Sequence, residues 1–172
     1  MNMNTIDFSP REKGAYYAKL LQEHGSPLLV MDADAVRGQY LSLKQALPEV
    51  GIYFAIKSLP HPEILRLLAG MGSGFDLASS GEIELVRGLN IPARRTIHTH
   101  PIKRDSDIRD GIRYGCTTFV VDNTDELLKF LPYRNRIGLF LRISFRSQSA
   151  VVDLSKKFGC SLNEAGDILL LA

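Results

Sequence analysis

The chain has 172 residues, 45% of them hydrophobic and 23% charged, the composition of an ordinary globular protein. Its formal net charge of +2 comes from scattered lysines and arginines, too mild a balance to indicate a nucleic-acid partner. Cys116 and Cys160 are isolated and form no metal knuckle or disulfide framework, and no apolar run reaches the roughly 18 residues of a membrane span.

The first residues, Met1 to Thr5, lack a charged region followed by an apolar core. No signal peptide is expected, and a reduced cytoplasmic compartment follows. Ser9 and Pro10 read as the N-cap and first position of a helix that stops at Gly25. Residues 28–31 read as a short strand, and 34–47 as a helix ended by Pro48. Residues 52–56, all but one of them bulky and apolar, form a β-prone run that ends in Lys57 and breaks at Pro60. From there the chain alternates. Helices over 62–69, 81–88, 105–114 and 124–131 separate extended runs at 75–78, 96–99, 118–121 and 138–143, and a last helix begins near Ser161.

Units of roughly 20 to 25 residues, each a short apolar strand and a helix, imply parallel strands joined by crossovers. The architecture is α/β, either a barrel or a doubly wound sheet. In both, chemistry sits at the C-terminal ends of the strands. Those ends carry Lys57, Asp76, His98, His100, Asp122 and Arg142.

Lys57 closes an apolar strand, so it is either a solvated strand-end lysine or an amine nucleophile able to form a Schiff base. Asp76 alternates with Phe75 and Leu77 and points to the other face. Ser79 or Ser80 caps the following helix, where Glu82 either complements the helix dipole or serves the site. Gly70, Gly72 and Gly74 follow a helix and precede a strand, the reverse of the order a dinucleotide turn requires. His98 and His100, two apart on a strand, share a face and form a candidate zinc pair. Arg142, in an apolar strand, either reaches solvent or pairs with Asp76 or Glu82. Lys156 and Lys157 point in different directions, so at most one of them faces a site.

Five segments, in order, resemble the fold-type III pyridoxal-phosphate decarboxylases, the ornithine, lysine, arginine and diaminopimelate group. They are Tyr53-Phe54-Ala55-Ile56-Lys57, then Gly74-Phe75-Asp76 with Ala78-Ser79 and Glu82-Ile83, then Pro101-Ile102-Lys103, Leu141-Arg142-Ile143, and Leu154-Ser155-Lys156-Lys157-Phe158-Gly159. The resemblance implies a partial TIM-type (β/α) barrel with about five of the family's eight parallel strands. That barrel would occupy residues 33–172, behind an N-terminal segment of helix and short strand over 1–32. It further implies pyridoxal phosphate as cofactor, held as a Schiff base on Lys57, with Asp76, Glu82 and Arg142 binding it. His100 and Lys157 are further candidates, and no metal is implied.

The implied reaction is decarboxylation of a basic amino acid of the ornithine or lysine kind, as in polyamine biosynthesis, by a homodimer that uses neither nucleic acid nor membrane. The family often has asparagine where this chain has Leu59 and His100, which points to an altered pocket. The family's cofactor-stacking histidine, glycine-rich phosphate loop, pyridine-facing glutamate and C-terminal β domain find no match. The chain is therefore expected to be the N-terminal part of a larger enzyme and inactive alone. Three other readings stand beside this one. They are a non-catalytic decarboxylase-like regulator, a metal-dependent hydrolase using His98 and His100, and a small racemase-like pyridoxal-phosphate binder.

Overall fold

The computed structural model describes residues 10–145 and 157–172. The chain divides into two units, Met1–Ala46 and Leu47–Ala172. The first holds helices α1 (Pro10–His24) and α2 (Ala33–Ala46). Gly25 follows α1 with φ +79°, the left-handed conformation that glycine adopts without a Cβ penalty. The Asp32 carboxylate accepts from the amides of Asp34 and Ala35, both at 3.0 Å, and caps α2. The amide of Ala35 is the main influence holding that carboxyl below its ordinary range. The strand expected at 28–31 does not form. A strand needs a ladder partner, this unit supplies only helices among the described residues, and Leu29 is left 81% exposed.

The second unit is a five-stranded sheet with helices. Its strands are β1 (Tyr53–Ala55), β2 (Gly74–Leu77), β3 (Thr96–His98), β4 (Thr118–Val121) and β5 (Gly138–Leu141). They are joined through α3 (Pro62–Gly70), α4 (Ser80–Gly88), α5 (Asp105–Tyr114) and α6 (Thr124–Leu128), and α7 (Leu162–Leu171) follows. All neighbouring pairs are parallel and the spatial order is β1-β2-β3-β4-β5, the order of the sequence. A doubly wound sheet reverses direction at a switch point, whereas a barrel adds each strand beside the last. The unreversed order is that of a partial (β/α) barrel.

Register assigns the faces. Asp76 lies beside Ala55 and Ile97, and Leu77 beside His98. Phe75, Leu77, His98 and Phe119 are fully buried on one face. Leu65 of α3, Ile83 and Val86 of α4 and Ile108 of α5 are buried as well, and Ile108 packs in one cluster with Phe119 of that face. Ile108, Cys116, Phe119, Val121 and Phe130 form one core cluster, and Leu127, Cys160, Ala165 and Ile168 another. By alternation the opposite face carries Tyr53, Ala55, Asp76, Ile97, Val120 and Phe140. Gly74 is required there, because a Cβ would come within 2.5 Å of the Tyr53 ring.

Three strands are shorter than the sequence suggests, and β3 ends at His98. β1 ends at Ala55, and Ile56–Ser58 form a 3-10 turn stabilised by the Ser58 hydroxyl donating to the Ala55 carbonyl at 2.6 Å. β5 ends at Leu141. Beyond it Ile143 bridges Cys160 in parallel, with the Cys160 amide donating to the Arg142 carbonyl at 2.9 Å. Gly159, at φ +95°, is needed for this approach, since a Cβ there would lie 2.9 Å from the Ser144 backbone nitrogen.

Candidate active site

The C-terminal ends of β1, β2 and β3 bring Lys57, Asp76, Glu82 and His100 into electrostatic contact. Glu82 feels the charges of all three others. Lys57 sits in the turn after β1 and is exposed, so no apolar pocket encloses it among the described residues. Asp76 is fixed by Thr99, whose hydroxyl donates to both carboxylate oxygens at 2.7 Å and whose amide donates at 3.1 Å. Glu82 reaches back from the first turn of α4 to accept the Ala78 amide at 2.7 Å, while the Ser79 hydroxyl caps the helix. Burial pushes the Glu82 carboxyl up. The Ala78 amide opposes this, Asp76 adds to it, and Lys57 and His100 draw it down, leaving it raised.

His100 lies on the loop after β3, not on the strand. Its Nδ1 faces the Ile102 backbone, 2.5 Å from the carbonyl oxygen and 3.2 Å from the amide nitrogen, so Ile102 holds the ring through that nitrogen. The ring meets Phe158 edge-on, with centroids 5.7 Å apart. Phe158 also carries Arg142, whose guanidinium carbon is 5.2 Å from the ring centroid, and Lys157, whose Nζ is 5.4 Å away. Arg142 is exposed just past β5 and, among the described residues, stacks on this ring instead of pairing with Asp76 or Glu82. Its amide still donates to the Val121 carbonyl at 2.9 Å, which holds Arg142 at the C-terminal end of β4. Asp122, after β4, accepts the Gly159 amide at 2.8 Å and anchors the Phe158 segment. The Leu154-Ser155-Lys156 part of the last motif lies outside the described residues.

The zinc pairing of His98 and His100 fails. His98 is fully buried on the helix side of the sheet, its ring stacked on Phe119 with centroids 5.8 Å apart. β3 ends at His98, so strand alternation does not carry across to His100. Among the described residues no group of three or more His, Cys, Asp or Glu side chains is placed to hold a metal ion.

Sequence reasoning missed the supports beneath this site. Lys103 is buried with Glu126, Nζ to Oε1 at 3.0 Å, and Lys129 reaches the other Glu126 oxygen at 2.6 Å. Asp107 accepts from the Ser80 hydroxyl at 2.7 Å and amide at 3.1 Å, and from Arg104 Nε at 3.2 Å, tying the start of α4 to the start of α5. Burial raises the Asp107 carboxyl, but these donors together outweigh it and hold it at about 2. Glu126 and Asp107 both occupy first helical turns, so in sequence each looks like an ordinary dipole partner. The position of Phe158 beside Gly159 was the one visible hint of the aromatic platform.

Residues 33–172 match the family described as pyridoxal-dependent decarboxylase, pyridoxal binding domain. The lysine/ornithine decarboxylase of Selenomonas ruminantium is 36% identical over 147 residues, covering 86% of this chain and 37% of the relative. The crystal structure of lysine/ornithine decarboxylase complexed with cadaverine from Vibrio vulnificus superposes with a TM-score of 0.84 at 48% identity, over 96% of this chain and 43% of that one. The arginine decarboxylase of Paramecium bursaria Chlorella virus superposes with a TM-score of 0.82 at 25% identity, over 90% and 42%. The chain thus spans about two fifths of the length of these relatives.

Proposed function

The chain belongs to the pyridoxal-dependent decarboxylase family, and we propose that the protein decarboxylates a basic amino acid of the lysine or ornithine kind, with Lys57 holding pyridoxal phosphate. The observation that carries the reading is convergence. An exposed primary amine, a carboxylate and an imidazole at or just past three strand ends each act electrostatically on a second carboxylate, Glu82, in the first turn of α4. That donor set fits an aldehyde-bearing pyridine cofactor, because the amine is open to condensation and flanked by groups that hold charge and protons. Relatives named for lysine and ornithine, at 36% and 48% identity, support the substrate class. We extend the proposal to residues 33–172 as the cofactor-binding domain of a homodimeric cytoplasmic enzyme. No helix among the described residues is long and apolar enough to cross a membrane.

When bound, pyridoxal phosphate supplies an electron sink for the charge left on carbon as carbon dioxide departs. The side chains around it would do the rest. Lys57 Nζ is the attachment point. Asp76, immobilised by Thr99, places a fixed negative charge on the open sheet face. Glu82 Oε2 is committed to the Ala78 amide, so a proton held by its raised carboxyl sits on Oε1. His100, with Nδ1 committed to Ile102, offers Nε2 to accept or deliver a proton. Arg142 and Lys157, gathered on Phe158, offer cations for a phosphate or carboxylate group.

The test is trapping in the full-length protein. Pyridoxal phosphate followed by borohydride should leave one reduced pyridoxyl group, mapped to Lys57. Lys57→Ala should abolish it and lower carbon dioxide release from lysine and ornithine by about 10³-fold or more. Labelling spread over surface lysines, or none, overturns the reading. Labelling of Lys57 without release from either amino acid supports the non-catalytic relative instead.

A further inference from the structure

Lys103 lies on the loop between β3 and α5, and its side chain is completely buried. Its ammonium meets three acceptors: Glu126 Oε1 at 3.0 Å, the Val120 carbonyl at 2.6 Å and the His100 carbonyl at 2.9 Å. Three donors and three acceptors leave nothing unsatisfied. The same loop is held at two more points. The Lys103 amide donates to Glu126 Oε1 at 3.0 Å, and Lys129 Nζ donates to the Lys103 carbonyl at 2.8 Å. Glu126 is itself oriented by the Asn123 side chain, which accepts its amide at 2.8 Å.

A buried ion pair is a poor source of stability, because removing two charges from water offsets most of their attraction. This one also lies in an interior where apolar side chains would pack readily, with the Phe130 ring centroid 5.2 Å from Nζ. Its distinctive effect is geometric. It locks the backbone from His100 to Lys103 onto β4 and α6. The residue at the start of that locked stretch presents its ring to Phe158 and acts to draw the Glu82 carboxyl down.

We propose that Lys103, with Glu126 as counter-ion, is a positioning residue that sets the place of His100 at the mouth of the candidate site. The functional meaning of that placement rests on the reading of Lys57 as the cofactor lysine. The placement itself does not, and the two are tested apart.

The experiment uses full-length protein with isotope-labelled histidine, the His100 ring signals being assigned by their loss in His100→Asn. Lys103→Met and Glu126→Gln should each move the His100 ring signals while leaving those of His24 and His61 in place. Lys103→Arg, which keeps the charge, should restore them at least in part. In the loaded enzyme, Lys103→Met should lower kcat/KM by about tenfold with His100 present and by less than about twofold in the His100→Asn background. Should Lys103→Met not fold, Glu126→Gln, which keeps the side-chain shape, is decisive under the same readouts. Unmoved His100 signals in the folded variants, or equal losses in both backgrounds, overturn the proposal. Absence of a pyridoxyl group on Lys57 in the parent protein overturns the site reading instead, and the ring signals still decide what Lys103 holds.

Discussion

His98 is fully buried, and neither ring nitrogen has a hydrogen-bond partner among the described residues. Burial, with the Lys103 charge in support, lowers its pKa to about 4, against a nearby Asp107 that pulls the other way. The imidazole is therefore neutral in the fold, while the unfolded chain takes up a proton below about pH 6.5. Between about pH 6.5 and 4 the unfolded state binds more protons, so stability falls as pH drops through that window. The full loss is on the order of 3 kcal/mol. Urea midpoints measured across the window should decline for the parent and stay flatter for His98→Leu. A parent curve without that decline would place the proton elsewhere.

At the scale of elements, the site is held by helix starts. Asp107 in the first turn of α5 grips Ser80 at the start of α4, and Glu82 one turn further on reaches back to Ala78. Because the Asp107 pKa lies below its unfolded value, at about 2, its contribution is present above about pH 3.8 and lost as pH falls through about 2. Asp107→Asn should lower stability at neutral pH by about 2 kcal/mol and remove this most acidic part of the profile, below the window that belongs to His98. Calorimetry at pH 2 to 4 separates the two. A second expectation concerns Gly159→Ala, which drives a Cβ to 2.9 Å from Ser144 at a left-handed φ. It should cost about 1–3 kcal/mol and displace Phe158, loosening Arg142 and His100 together, seen as lost near-ultraviolet dichroism from the ring.

Over the whole sheet, one face is packed and the other is open. Tyr53 and Phe140 on the open face are 43% and 60% exposed, and Leu170 on α7 is 90% exposed. Among the described residues β1 and β5 each have one strand neighbour. Open edges beside exposed apolar surface favour association. The 172-residue chain expressed by itself should bind a hydrophobic dye and sediment faster with rising concentration. A dye-silent monomer would mean that this surface is covered in solution. The placement of Asp76 on the open face, with Lys57 just past β1 and Arg142 just past β5, explains why the site and the association-prone surface coincide.

The sequence by itself determined the order and kind of nearly every element, because apolar period, caps and breakers are local properties. It also offered Lys57, Asp76, Glu82 and His100 as candidates, through strand ends and the motifs that resemble the family, and the structure brings these four to the same end of the sheet. Tertiary structure decided three things. It showed the unreversed strand order of a barrel, which the family resemblance implied and the periodicity of strands and helices left open, since short helical connections suit a doubly wound sheet as well. It turned His98 into the core and left His100 on the loop, since a one-residue difference in where a strand ends breaks the alternation between them. It paired Lys103 with Glu126 across 23 residues, and Asp107 with Ser80 across 27. The choice of a buried charge's partner depends on which elements pack together, and that is settled only when the sheet and its helices close on one another.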